Sequence, residues 1–180
     1  IPTLVALCRA YNDWAAEFIS YDAKRLIAPA MVPQASIDET LAETKRAMKL
    51  GLRGIMMRPN PIGGRTLDNP ALEPVWDLLE EYKAPLVLHE GTTQNLPQVG
   101  LDRYENFLFR HMVSHPFEQQ MGLMELICGG VLERHPKLHV LIVECGCAWA
   151  PYWLDRMDDH IEHWGFASRP LKRSAPEYFK

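Results

Sequence analysis

The chain lacks most of the features that mark a specialised protein class. Its 180 residues include only four cysteines, and no two of them have C-x-x-C spacing. Cys8, Cys128, Cys145 and Cys147 therefore suggest neither a disulfide framework nor a zinc-knuckle pair, and reduced structural thiols are expected. Positive charge is scarce: 19 Lys plus Arg stand against 23 Asp plus Glu, giving a formal net charge of −4. Without a basic stripe to neutralise phosphates, no nucleic-acid partner is expected. No uncharged apolar run reaches the roughly 20 residues that a membrane-spanning helix needs, so no membrane partner is expected either. The mostly apolar stretch at residues 138–143, interrupted only by His139, has the length of a strand. Residues 1–7 lack the positive flank of a signal peptide, which makes a cytoplasmic location the default expectation. No strand is followed by Gly-x-Gly-x-x-Gly, so a dinucleotide site has no support. Low-complexity segments are absent as well, which excludes disordered and fibrous classes.

What remains is a balanced composition, 47% apolar and 23% charged. One globular domain over residues 1–180 is expected, long enough to bury a sizeable core. Short apolar runs alternate with longer amphipathic segments. An opening helix spans about residues 4–20. A strand candidate covers residues 26–32, ended by Pro33. Ser36 with Glu39 three positions later reads as a capping box, and apolar residues recur at helical spacing up to Gly51. Residues 54–57 form a second strand candidate, and Asn69-Pro70 opens a helix with Leu72, Val75, Trp76 and Leu79 on one face. Residues 85–88 are the third strand candidate. A long irregular insertion, residues 92–114, precedes a helix expected from Pro116 to about Arg134. Residues 138–143 are the fourth strand candidate, and Pro151 opens a last helix to about Trp164. Helices alternating with almost wholly apolar strands predict an α/β fold with a parallel sheet. Two closures fit this pattern. A doubly wound open sheet would be complete at this length, whereas a (β/α)8 barrel takes about 250 residues.

In either closure, functional groups collect at the carboxyl ends of the strands. Here those ends carry Arg58, His89 with Glu90, and Glu144. His89 is either a half-buried imidazole donating to a backbone carbonyl, or a metal ligand or base. Glu144 is either salt-bridged to a group such as Arg58, or it performs acid/base or metal work. Arg58 suits a substrate carboxylate, which its guanidinium can fork, or an ion pair with a neighbouring acid. His115 lies at an expected helix start, where backbone N–H groups attract anions; plain capping is the alternative. His111 and His115 are four apart, but Pro116 argues against one helix through both. Trp149, in the loop before the last helix, is a candidate substrate platform, with core packing as its alternative.

Several strings carry a family likeness. Leu-Arg-Gly-Ile-Met-Met-Arg-Pro-Asn-Pro at residues 52–61 and Pro-Leu-Val-Leu-His-Glu-Gly at 85–91 resemble the amidohydrolase-related (amidohydrolase 2) family. So do Gly-Gly-Val-Leu-Glu-Arg-His-Pro-Lys-Leu at 129–138, Glu-Cys-Gly-Cys-Ala-Trp at 144–149 and Tyr-Trp-Leu-Asp-Arg at 152–156. The resemblance implies a metal-dependent hydrolase-type (β/α)8 TIM barrel, of which this chain looks like the central portion. It implies one divalent metal, zinc or else manganese, held by a His-x-His or Glu-x-His pair, a middle-strand His and a late Asp. The middle-strand position is His89; the sequence contains neither a His-x-His pair nor the late Asp motif. Family decarboxylases place a catalytic His where Glu144 stands. By resemblance the substrate is a small organic acid, the reaction hydrolysis or non-oxidative decarboxylation, and the assembly a homo-oligomer. On this reading Glu144 and His115 move protons, Arg58 and Trp149 bind substrate, and His89 binds metal. The alternative is a catalytically inactive partial barrel serving as a subunit or small-acid-binding module.

Overall fold

The computed structural model describes residues 1–91, 97–165 and 170–179. The insertion read at residues 92–114 therefore lies partly outside the described residues. In chain order the elements are α1 (Pro2–Ser20), β1 (Ala30–Met31), α2 (Ile37–Lys49), β2 (Ile55–Met57), a 3-10 turn (Pro70–Leu72), α3 (Glu73–Tyr82) and β3 (Leu86–Leu88). There follow α4 (Phe107–Cys128), α5 (Val131–Arg134), β4 (Val140–Ile142), α6 (Ala150–Trp164) and α7 (Ala175–Tyr178). The strands lie in the order β1-β2-β3-β4, with Ala30 opposite Ile55 and Ile55 opposite Leu86 in parallel register. The fold is thus α/β, with parallel strands alternating with helices, and it is consistent with part of a barrel. Among the described residues no helix is long and apolar enough to cross a membrane.

Two compact units divide the chain. The first comprises residues 1–57, 70–88 and 137–141 and holds the sheet with α1, α2 and α3. Ile55, Leu86, Leu88, Val75, Trp76 and Leu79 are fully buried or nearly so, which explains why these strands read as unbroken apolar runs. Each such side chain contributes roughly 1.5–3 kcal/mol. The first strand is shorter than residues 26–32: Ile27 is exposed, and only residues 30–31 pair. A buried asparagine anchors that short strand. Asn12 of α1 donates to Met31 O at 2.8 Å and to Glu43 Oε1 at 2.7 Å, and its Oδ1 accepts from Met31 N at 2.8 Å. Against the cost of burial, hydrogen bonds from Arg46 and Asn12 and the charge of Arg9 hold Glu43 below the usual carboxylate range.

The second unit comprises residues 58–69, 89–136 and 142–180, with α4 as its longest helix. That helix starts nine positions before Pro116, at Phe107, because Asn106 Oδ1 accepts from Leu108 N at 2.9 Å and caps it. Pro116 sits inside the helix, where it forgoes one backbone hydrogen bond without ending the element. His115 is consequently in an inner turn of α4, not at its start. The buried stripe of α4 changes character along its length: Ser114, His115, Glu118 and Gln119, then Leu123, Leu126 and Ile127. Its apolar half builds core, while its polar half faces the ends of the strands' following loops. The helix stops at Gly129, and Gly130, at φ 73, turns the chain into the separate α5.

Candidate functional site

Four ionisable side chains converge in the second unit. Glu144 Oε2 lies 2.7 Å from His89 Nε2 and 3.9 Å from His115 Nε2. On its other edge, His115 Nδ1 lies 3.0 Å from Glu90 Oε2. The cluster is graded in exposure: the side chains of Glu144 and His89 are 56% and 35% exposed, those of His115 and Glu90 8% and 1%. Its outer half is exposed and its inner half is buried.

The chain places these groups in simple ways. His89 and Glu90 directly follow β3 in the chain. Glu144 comes two residues after β4, and its backbone is in the left-handed region at φ 58. A non-glycine residue there is uncommon and strained, and such outliers concentrate at functional sites. His115 is brought in by α4, where the ring of His111 stacks on it at 4.0 Å between centroids. The helix that Pro116 argued against thus exists and pairs the two rings. Glu144 is more than half exposed, so the desolvation expected for a carboxylate at this place is not incurred.

Of the five predicted site residues, His89, His115 and Glu144 are joined directly. Arg58 lies over Gly91: a Cβ at that glycine would come 2.5 Å from Nη2, so the guanidinium fills the space a side chain would take. Trp149 caps α6 and donates through Nε1 to Gly146 O at 2.9 Å and Cys145 O at 3.2 Å, so its own loop engages its indole N–H.

Sequence reasoning named Glu90 at its strand end but not its contacts, and left out two acids of α4, Glu118 and Glu125. Glu90 accepts from Gln98 Nε2 at 2.7 Å and from Ser114 Oγ at 3.4 Å. Glu118 accepts from Val99 N at 2.6 Å, and burial, with the charge of Glu90, pushes its carboxyl above the ordinary range. Glu125 accepts from Leu67 N at 2.9 Å, and burial, with the charges of Asp68 and Glu118, raises it to about 7. One signal was available. Residues 115, 118 and 125 fall on one helical stripe once the helix is extended back past Pro116.

His89 and Glu144 are nitrogen and oxygen donors of the kind a divalent ion takes. However, Glu144 already engages His89 Nε2. Among the described residues no group of three or more His, Cys, Asp or Glu is placed to hold a metal ion. These residues do not complete a metal site by themselves.

The family model described as amidohydrolase matches residues 3–180. A 2-amino-3-carboxymuconate-6-semialdehyde decarboxylase of Dictyostelium discoideum is 31% identical over 165 residues, covering 91% of this chain and 43% of that protein. The chain thus spans less than half the length of this curated relative. Among solved structures, 5-carboxyvanillate decarboxylase of Sphingomonas paucimobilis superposes with a TM-score of 0.81 at 22% identity, over 99% of this chain and 53% of that one. The 5-carboxyvanillate decarboxylase of Novosphingobium aromaticivorans superposes with a TM-score of 0.79 at 25% identity, over 97% and 51% of the two chains. That structure contains manganese and 3-methoxy-4-hydroxy-5-nitrobenzoic acid.

Proposed function

The chain belongs to the amidohydrolase family, and on that premise we propose that it carries the proton-handling part of a metal-dependent carboxy-lyase or hydrolase for a small organic acid. The observation that carries this reading is the position of Glu144 Oε2 between the Nε2 atoms of His89 and His115. Non-oxidative decarboxylation is the favoured reaction, supported by the decarboxylases among its relatives and structural neighbours.

In decarboxylation the carbon–carboxylate bond breaks, its electron pair stays on the substrate carbon, and CO2 leaves. That carbon must then take a proton. Glu144 and His115 are the proposed carriers, one open to substrate and the other shielded behind it. Arg58, with five donors in a planar fork, is the proposed partner of the substrate carboxylate, and Trp149 the proposed platform for its apolar body. His89 is the proposed ligand of a divalent metal, zinc or manganese. The family premise also supports a homo-oligomer; a cytoplasmic location and a single domain over residues 1–180 are proposed from the sequence.

The test is CO2 release from a panel of small aromatic and unsaturated acids after loading with zinc or manganese. Release is expected, and Glu144→Gln should lower it ~10²–10⁴-fold, the usual worth of a general acid or base. Equal turnover by Glu144→Gln would remove Glu144 from the chemistry. Metal-loaded protein that turns over none of these acids would remove the reaction.

A further inference from the structure

The geometry points to Glu90 as a positioning residue that fixes the tautomer of His115, with the proton on Nδ1 and the Nε2 lone pair facing Glu144. A neutral imidazole has one N–H and one lone pair, and which nitrogen carries the proton is set by what the other edge meets. At His115 the Nδ1 edge meets Glu90 Oε2 at 3.0 Å, closer than Ser114 Oγ at 3.4 Å, whose own proton goes to Glu90 Oε2. A lone pair and a carboxylate oxygen at that distance repel each other, whereas an N–H between them makes a charge-assisted hydrogen bond.

Glu90 is itself held in place as an acceptor. Its Oε1 accepts from Gln98 Nε2 at 2.7 Å, and Ser114 Oγ reaches its Oε2 at 3.4 Å. With Glu90 1% exposed and the His115 side chain 8% exposed, water cannot readily replace these partners. The stacked ring of His111 covers one face of His115, so the imidazole is fixed at an edge and a face. What remains is Nε2, 3.9 Å from Glu144 Oε2 and pointing at the open half of the cluster. The arrangement has the logic of any buried carboxylate that orients a catalytic imidazole: the acid neither touches substrate nor moves a proton, but chooses the nitrogen that does. This inference rests on the proposed function only for the use made of His115; the tautomer belongs to the fold.

The test is histidine-ring ¹⁵N NMR of the substrate-free protein at a pH where the imidazole is neutral. The His115 signals are assigned by their loss in His115→Asn. The Nδ1–H pattern is expected in the wild type. In Glu90→Gln, Gln98 still claims the Oε1 position, so the new amide NH2 faces His115 and the pattern should invert to Nε2–H. Glu90→Asp should restore Nδ1–H. A wild-type His115 in the Nε2–H form overturns the inference whether or not the variants fold, and an unchanged tautomer in folded Glu90→Gln does the same. Because no turnover is measured, failure here is distinct from failure of the decarboxylase reading. In an active preparation, Glu90→Gln should lower kcat at unchanged KM, with Glu90→Asp recovering most of it.

Discussion

Glu144 meets His89 at 2.7 Å from a backbone held at φ 58, so the contact at the centre of the cluster is made by a residue in a strained conformation. The left-handed region costs an L-residue roughly 1–2 kcal/mol, which glycine avoids. Glu144→Gln and Glu144→Gly both lose the carboxylate, but only the second releases the strain. After allowance for the greater chain entropy of glycine, Glu144→Gly should be about 1 kcal/mol more stable than Glu144→Gln in urea unfolding. Equal midpoints and slopes for the two variants would show that the backbone there stores nothing.

Glu125 gives stability a pH dependence. Burial raises its carboxyl to about 7 in the folded chain, against an ordinary value of 4.5. Between those values the folded state binds more protons than the unfolded state, so stability is full below about pH 4.5 and declines as pH rises toward 7. Discounted for the partial exposure of the side chain, the decline is on the order of 1–2 kcal/mol. Glu118, shifted in the same direction, adds to it. Glu125→Gln keeps an acceptor for Leu67 N but cannot ionise. Its unfolding free energy, followed from pH 4.5 to 7, should fall less steeply than that of the wild type, and a parallel curve would refute the assignment.

Asn12 makes a third case. It satisfies both backbone groups of Met31 and one oxygen of Glu43 from a fully buried position. Replacing it with leucine of similar size strands these partners in a dry place, and each orphan costs ~1–3 kcal/mol. A net loss of about 3 kcal/mol is expected for Asn12→Leu, read as a lowered denaturation midpoint at unchanged slope. A loss below about 0.5 kcal/mol would mean that water reaches β1 and replaces the side chain.

The parallel α/β class and the residues at the strand ends were legible because the strands are short apolar runs and three of them end on an ionisable group. Leu88-His89 and Val143-Glu144 announce themselves in this way, and the structure brings both groups together with His115. The course of α4 was not legible. Pro116 looked like a first helical position, and the turns before it expose Phe107, Leu108, Phe109 and Met112, so no apolar stripe marked them as helix. What holds that half of α4 is polar: Ser114, His115 and Glu118 face partners that periodicity does not count. Asn12 was hidden for a similar reason, since its partners stand 19 and 31 positions away and only the folded chain brings them near. Glu90 could be read as a strand-end acid but not as the partner of His115, because that depends on where α4 passes.

Two glycines of the first unit separate backbone conformation from close approach. Gly51 and Gly54 have almost equal φ, 94 and 93. A Cβ at Gly51, just past α2, would meet nothing within 4 Å, whereas at Gly54 it would lie 2.6 Å from Pro85 O. That carbonyl is fixed, because it accepts from Ile55 N at 3.1 Å as β2 and β3 come together. Gly51→Ala should therefore cost only the left-handed penalty, about 1 kcal/mol. Gly54→Ala adds an overlap that the sheet cannot relieve without parting the strands, a further ~1–3 kcal/mol. Thermal unfolding of the two variants should rank Gly54→Ala clearly below Gly51→Ala. If both lose the same amount, positive φ alone accounts for glycine at 54, and the strands are not packed as closely there as the geometry indicates.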